Sequence, residues 1–494
     1  MTTITSSRVL IGMEIHVELA TESKMFATAP NAASPKQYDA EPNTLVDPVV
    51  MALPGSLPVV NRRAVSMSMR VGLALNCTIA NFTKWDRKNY YYPDLPKGYQ
   101  ISQFDKPLCI DGVIEIGEDQ KPVKIIRAHL EEDTGKLGHE LPGGEHYDGS
   151  LVDLNRAGTP LLEIVSAPDL HSAQDAVAYA REIRDICRYL GVTEGIMQKG
   201  HMRFEPNINM IITTDDGATH ATPIVEIKNL NSFKAIAGAI EYEATRQVEA
   251  WLADGKEMGP NAKSTRGWDD DKQMTVMQRE KEDAHDYRFF PDPDLVPLTI
   301  SQEWINEVNE TIPELPASRR LRYQSEYKLS LKDAMALTAE PDLCNFFERC
   351  VKQSNNGTES AKWLLNAGAK YANENKCEVN NLGITPQQLA GLIQLRQENK
   401  VGSSAADKLF GMLCDSDQTS ENVAKENNLL QVTDGGAIDS WVTEAIEAQQ
   451  QAADDVRSGK NAAIGRLVGE VMKRSGGAAD AKTVREKLLQ QLQG

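Results

Sequence analysis

The stretch IGMEIHVEL, Ile11 to Leu19, alternates strictly between apolar and polar residues. Ile11, Met13, Ile15, Val17 and Leu19 fall on one face of an extended segment, and Gly12, Glu14, His16 and Glu18 on the other, because strand side chains alternate with period two. The first face is a core face. The second carries two carboxylates and an imidazole. Two further stretches share its character. RAHLEEDTGKL gathers Arg127, His129, Glu131, Glu132, Asp133 and Lys136, and VDLNRAGTPLLEIVS places Asp153, Asn155 and Arg156 before a turn and embeds Glu163 in the apolar run 161–165. An unpaired buried carboxylate costs on the order of several kcal/mol, so Glu163 calls for a cation, either a metal or an arginine such as Arg156 or Arg127. Hard divalent ions such as magnesium take carboxylates, and nucleotide phosphates complete their sphere. Taken singly, Glu14 with His16 reads as an exposed strand face and Glu131 to Asp133 as a charged turn. Their joint occurrence points to a metal–phosphate site.

The chain has 494 residues, which corresponds to roughly three domains. With 41% hydrophobic and 25% charged residues it reads as globular rather than disordered. The start MTTITSSRVL has neither a basic n-region nor an apolar run, and no stretch is long and apolar enough for a membrane span. The seven cysteines are scattered, without a C-x-x-C pair, which implies free thiols, a cytoplasmic setting and no cysteine-built zinc site. A formal charge of −18 argues against general nucleic-acid affinity, yet from Val456 onward eight bases face three acids. That late basic segment reads either as a solvated helix face or as an RNA-contacting tail.

The fold class is α+β. Short alternating segments such as KPVKIIRAHLEED and ATPIVEIKNL mix with two helices in the first part, which holds all eight histidines. One helix spans about Ser172 to Leu190, with Ser172 as N-cap and Gly191 ending it; the second runs from near Lys234 to the break at Gly255–Pro260. The proline-rich FFPDPDLVPL, Phe289 to Leu298, closes that part. Helical text follows, including TPQQLAGLIQLRQENK with Thr385 as N-cap and Pro386 at the first helical position, and a final amphipathic pair separated by Gly476-Gly477. The resulting division is a first domain over 1–295, a helical domain over 296–410 and a tail domain over 411–494.

There is no P-loop, no G-x-G-x-x-G, no H-E-x-x-H and no G-x-S-x-G, nor a serine/glycine-rich amidase-like stretch. KNYYYPDLPKGYQISQFDKPL, Lys88 to Leu108, forms a stiff aromatic loop that either staples the core or presents Lys97 to an anion. The stretch that gathers Arg266, Trp268, Arg279, His285, Asp286, Tyr287 and Arg288 reads in isolation as a charged linker.

IGMEIHVEL, EPNTLVDPVVMALPGSLPVVN, NYYYPDLPKGYQISQFDKPL, HLEEDTGKL, VDLNRAGTPLLEIVS, EIKNLNSF, TRGWD and AHDYRFFPDPDL, in this order, resemble the successive motifs of the B subunit of aspartyl/glutamyl-tRNA(Asn/Gln) amidotransferase. The tail IGRLVGEVMK is similar to that family's C-terminal domain, so the resemblance covers almost the whole chain. It implies a β-rich cradle-like catalytic domain, an all-α helical domain and a small helical tail that grips tRNA, with Lys473 and Arg474 as phosphate contacts. It implies phosphorylation by Mg-ATP of the side-chain carboxylate of Glu-tRNA(Gln) or Asp-tRNA(Asn), followed by displacement of phosphate by ammonia. The ammonia would come from a separate amidase, the A subunit, with the small C subunit completing a heterotrimer. The missing amidase signature fits that division of labour. Glu14, His16, Glu132 and Glu163 match the family's metal-binding positions, Glu131 is their neighbour, and Lys97 with Glu132 sits where the ammonia route meets the cradle. There are two departures from the family. Its four-cysteine zinc site corresponds to Ala27, Ala29, Asp47 and Val50, so no zinc is expected, and MRFEPNINM puts Phe204 and Glu205 where Cys and Asp are common. A free-standing metal-dependent hydrolase and a non-enzymatic tRNA-binding module are the rival readings. The first lacks a nucleophile–base pair, and the second leaves the acidic motifs unexplained.

Overall fold

The computed structural model describes residues 3–493 apart from 142, 261, 281–286, 432–434 and 477. His285, Asp286 and Gly477, singled out above, lie outside the described residues. The chain forms two compact units, the first ending at Leu315 and the second beginning at Pro316.

Strand β1 (Ile4–Glu18) contains the opening stretch, and its alternation is realised in space. Ile11, Met13, Ile15, Val17 and Leu19 are at most 1% exposed, each worth about 1.5–3 kcal/mol of burial. They join one large apolar cluster with helices α1 (Arg62–Ala74), α2 (Ala173–Tyr189) and α3 (Phe233–Asp254). The helix boundaries follow the capping chemistry. Ser172 accepts a hydrogen bond from the Asp175 N–H, Ser232 accepts from Ala235, and Gly255 ends α3 in the left-handed conformation at φ +68°.

The helices cover one face of a thirteen-stranded sheet. Its strands include β2 (Asp86–Asn89), β3 (Tyr99–Ser102), β4 (Cys109–Ile116), β5 (Lys121–Glu132), β6 (Pro160–Ser166), β7 (Met202–Thr214), β8 (Val225–Lys228), β9 (Ser264–Asp269) and β10 (Met274–Glu280). The spatial order is β10-β9-β8-β7-β1-β6-β5-β3-β2, with β4 also on β5; these pairings are antiparallel except β8–β9.

The first unit runs past 295, the boundary expected from the proline-rich break. Leu298, Trp304, Ile305, Ile312 and Leu315 pack on its core, and α4 (Gln302–Asn309) is pinned where Trp304 donates to Ser66 at 3.2 Å and lies beneath Arg62. In the second unit the helix opening at Thr385 is α5 (Pro386–Gln397), closed by a complete capping box between Thr385 and Gln388. The residues just beyond 410 stay with this helix. Gln388 donates to the carbonyls of Ser416 (2.5 Å) and Gln418 (2.8 Å), and Ser420 donates back to the Gln388 carbonyl at 2.5 Å. A separate apolar cluster begins only at Ile438 and runs to Leu492, so the tail's own core starts later than residue 411. Among the described residues no helix is long and apolar enough to cross a membrane.

Candidate functional site

The face of the sheet opposite the helices is polar, and strand register builds it. His16 on β1 stands opposite Glu163 on β6 and Arg203 on β7; Glu163 stands opposite His129 on β5; Glu14 stands opposite Glu205 on β7. Alternation along β5 puts Arg127, His129 and Glu131 on this same face.

The result is a close group of donors. His16 Nε2 lies 3.5 Å from Glu163 Oε2 and 3.8 Å from Glu131 Oε1, and His129 Nε2 lies 3.5 Å from Glu163 Oε2. One ligand atom from each of His16, Glu131 and Glu163 falls within 4.8 Å of the others. His16 Nδ1 is buried without a hydrogen-bond partner among the described residues. Ser102 on β3 donates to Glu131 at 3.3 Å, and Asn207 donates to Glu14 at 2.9 Å.

The electrostatics follow from crowding acids in a desolvated place. Burial alone would depress His16, but the hydrogen bond it donates to Glu163 and the charges of Glu205 and Glu163 outweigh it and push its pKa up to about 9. Burial pushes Glu131 up. Burial also opposes ionisation of Glu163, yet His129, His16 and Lys88 hold it well below the usual carboxylate range. Burial and the neighbouring cations Arg127, Lys88 and His16 drop His129 to about 4. The group is therefore a set of carboxylates neutralised by a proton on His16. A divalent cation fits that donor set, with hard carboxylate oxygens and an imidazole nitrogen already converging.

Glu132 does not join this group. Period two sends it to the other side of β5, where it ion-pairs with Lys97 and accepts the backbone N–H of Ile101 at 3.0 Å. With Asp133, this pair closes a cavity of about 20 Å³ otherwise lined by small and apolar residues from Phe26 to Val50 and Leu95 to Gly158. That is room for one water-sized molecule. The adjacent residues Glu131 and Glu132 therefore serve two different places.

Several contributors carry no signal as obvious as the acidic motifs. Lys24 is fully buried, and its ammonium caps the carbonyls of Leu154 (3.3 Å), Asn155 (2.9 Å) and Ala157 (2.5 Å) in the turn that leads into β6. Gly158 follows at φ +82°, where a Cβ would come within 3.3 Å of the Lys24 stem. Arg203 binds Asp133 at 2.5 Å, and Asp133 also meets Arg156 at 3.6 Å, which ties the end of β5 to β7 across β1 and β6. Glu205 is held by Lys228 at 2.7 Å and sits beside His16 and Glu14. Alternation in RAHLEE and MRFEPN is the signal that places His129 and Glu205 on the face.

Ala27, Ala29, Asp47 and Val50 lie together and offer one ligating side chain. The Asp47 carboxylate takes the backbone N–H groups of Ala29 (3.2 Å), Val49 (3.0 Å) and Val50 (2.9 Å). In the second unit Lys473 and Arg474 end the helix Ile464–Arg474 on an exposed surface, where Arg474 bonds Glu444 (3.0 Å) and Glu470 (3.1 Å).

The GatB/GatE catalytic domain matches residues 9–306, and the GatB domain matches residues 345–492. Relatives named as the B subunit of aspartyl/glutamyl-tRNA(Asn/Gln) amidotransferase align along nearly their whole length. That of Rhodopirellula baltica is 40% identical (97% of this chain, 96% of the relative), and that of Caldanaerobacter subterraneus subsp. tengcongensis is 41% identical (98% of each). The one from Geotalea uraniireducens is 42% identical, covering 99% of each chain. With both family models matched and full-length similarity at about 40% identity, the chain belongs to the family of B subunits of aspartyl/glutamyl-tRNA(Asn/Gln) amidotransferase.

Proposed function

We propose that this chain acts as the B subunit of a tRNA-dependent amidotransferase. It uses ATP to phosphorylate the side-chain carboxylate of tRNA-bound glutamate or aspartate, and ammonia then displaces phosphate to give the amide. The observation that carries the reading is the convergence of His16, Glu131 and Glu163 on one sheet face, with the Lys97–Glu132 pair at the cavity behind it. His16, Glu131 and Glu163 would hold magnesium, with Glu14 alongside on the same face; when bound, the ion would neutralise the phosphate oxygens of the nucleotide.

The residues themselves divide the labour. Ser102 and the backbone of β3 orient Glu131, and His129 orients Glu163. His16 would offer its neutral imidazole nitrogen to the cation. On the other face of β5, the Lys97–Glu132 pair stands at a cavity with room for a molecule the size of ammonia. The ammonia is supplied by the glutamine-hydrolysing A subunit, the small C subunit completes the heterotrimer, and the assembly is cytoplasmic. Lys473 and Arg474 contact the phosphates of the tRNA body. No zinc is required, because the four positions of the family's cysteine site hold a single carboxylate already engaged with backbone N–H groups.

The test measures ADP and amide on Glu-tRNA(Gln) and on Asp-tRNA(Asn), with ammonium chloride as nitrogen source, with and without the glutaminase partner. The expected result is ADP and amide on at least one misacylated tRNA without that partner, and none on uncharged tRNA. Amide formation without ATP would overturn the reading.

A further inference from the structure

Lys88 lies on β2, opposite Gln100 in the β2–β3 register, and two residues along β3 Ser102 stands opposite Glu131. Alternation therefore places Lys88, Gln100, Ser102 and Glu131 on one face of the sheet. The Lys88 ammonium packs over the rings of Tyr287 at 5.0 Å and Tyr90 at 5.9 Å, which guide its stem toward the acidic group. It lies close enough to Glu131, Glu163 and Glu14 that their charges outweigh burial and keep it protonated.

What sets it apart is what it does not hold. Arg203 is engaged by Asp133, Lys228 by Glu205 and Glu226, and Lys97 by Glu132. Among the described residues the Lys88 side chain makes no ion pair and no hydrogen bond, while Glu131 and Glu163 turn to His16 and His129 instead. A half-buried ammonium on the same face as carboxylates but bonded to none of them has its donors free for an anion that is not part of the protein.

We infer that Lys88 is a catalytic residue whose ammonium contacts the phosphoryl group as it passes from nucleotide to substrate carboxylate, beside the His16–Glu131–Glu163 group. The inference rests on the phosphorylation reading above. In that step a carboxylate oxygen of the aminoacyl group attacks the γ-phosphorus, and the bond from that phosphorus to the bridging oxygen breaks. ADP leaves with the electron pair, and Lys88 keeps its proton throughout. Charge spreads over the equatorial oxygens during transfer, and an ammonium held beside them by the two tyrosine rings stabilises it. A counter-ion role, in which Lys88 only offsets the acidic cluster before the cation arrives, is the competing account.

The test compares the full-length chain with Lys88→Met, Lys88→Gln and Lys88→Arg, each assembled with its partner subunits, at saturating magnesium and ATP with ammonium chloride. Met and Gln should lower kcat for ADP formation on misacylated tRNA on the order of 10²–10³-fold, as removal of one transition-state donor does. KM for the tRNA should stay within about twofold, and Arg should recover part of the rate. Either neutral variant within about threefold of wild-type kcat at saturating magnesium, with magnesium bound more tightly, overturns the inference and establishes the counter-ion role. A wild-type protein that forms no ADP on either misacylated tRNA overturns the phosphorylation reading, and this inference with it.

Discussion

The acidic face of the sheet and the terminal helices of the second unit both carry dense charge, but different forces hold it. On the sheet, Glu131 and Glu163 have side chains 4% and 12% exposed, and strand register fixes their neighbours to within one residue. In the terminal helices Arg474 bridges Glu444 and Glu470 at a surface where Glu444 is 48% exposed. Coulomb energy at an effective dielectric near 20 is about 4 kcal/mol for unit charges 4 Å apart, whereas exposed pairs yield about 0–1 kcal/mol after screening and side-chain entropy. The first region can therefore do chemistry with its charges. The second can only attract and orient.

The largest effect should come from the middle of the sheet. Glu163→Gln keeps the shape but removes the anion shared by His16 and His129. Phosphorylation of misacylated tRNA should fall on the order of 10³-fold or more, the several kcal/mol a bound cation supplies, while tRNA affinity stays within a few-fold. A rapid-quench assay for ADP reads the first and filter binding the second; a fully active variant would remove Glu163 from the metal site.

Two adjacent residues sharpen the contrast further. Glu131→Gln should cut ADP formation with either nitrogen source, on the order of 10²-fold or more. Glu132→Gln should spare ADP formation and ammonia-dependent amidation and lose glutamine-dependent amidation. Equal losses in both reactions for Glu132→Gln would mean that the two faces of β5 do not work separately. Lys97→Ala should reproduce the Glu132→Gln pattern when the glutaminase partner is present. The double variant should lose little more than either single one, because two partners of one ion pair are not additive. Glutaminase activity in the same samples should persist.

Much of the sheet is legible in the sequence because its signal is local. Period-two alternation in IGMEIHVEL assigns the core face residue by residue, and Ser172, Gly255 and Thr385 mark helix ends through chemistry confined to one turn. The site is legible only in part, because it is assembled by register between strands far apart in the chain. Alternation requires Glu131 and Glu132 to face opposite ways but does not say which one meets His16; the pairing of Glu163 with both His16 and His129 decides that. Lys88 carries no signal to set it beside Lys97, because the acids it faces lie on other strands and none touches it. The proline-rich stretch before 298 reads as a boundary because prolines break local structure, yet α4 returns through Trp304 to pack on α1, a contact between residues 238 apart in sequence.

The smallest effects belong to the tail, and there the comparison breaks down into two neighbouring cations. Arg474 already spends its guanidinium on Glu444 and Glu470, whereas Lys473 is exposed and pairs with no acid among the described residues. If both contact the tRNA body, Lys473→Ala should weaken binding a few-fold across tRNA species and flatten the plot of log affinity against log salt by about one unit. Arg474→Ala should move that slope less, because a phosphate must compete with two carboxylates for its charge, and should also cost up to about 1 kcal/mol of stability from the lost surface pairs. Salt-titrated filter binding alongside thermal melts separates the two. A larger slope change for Arg474→Ala than for Lys473→Ala would show that the ion pairs open on binding, and that the tail is rearranged by tRNA rather than merely attracted to it.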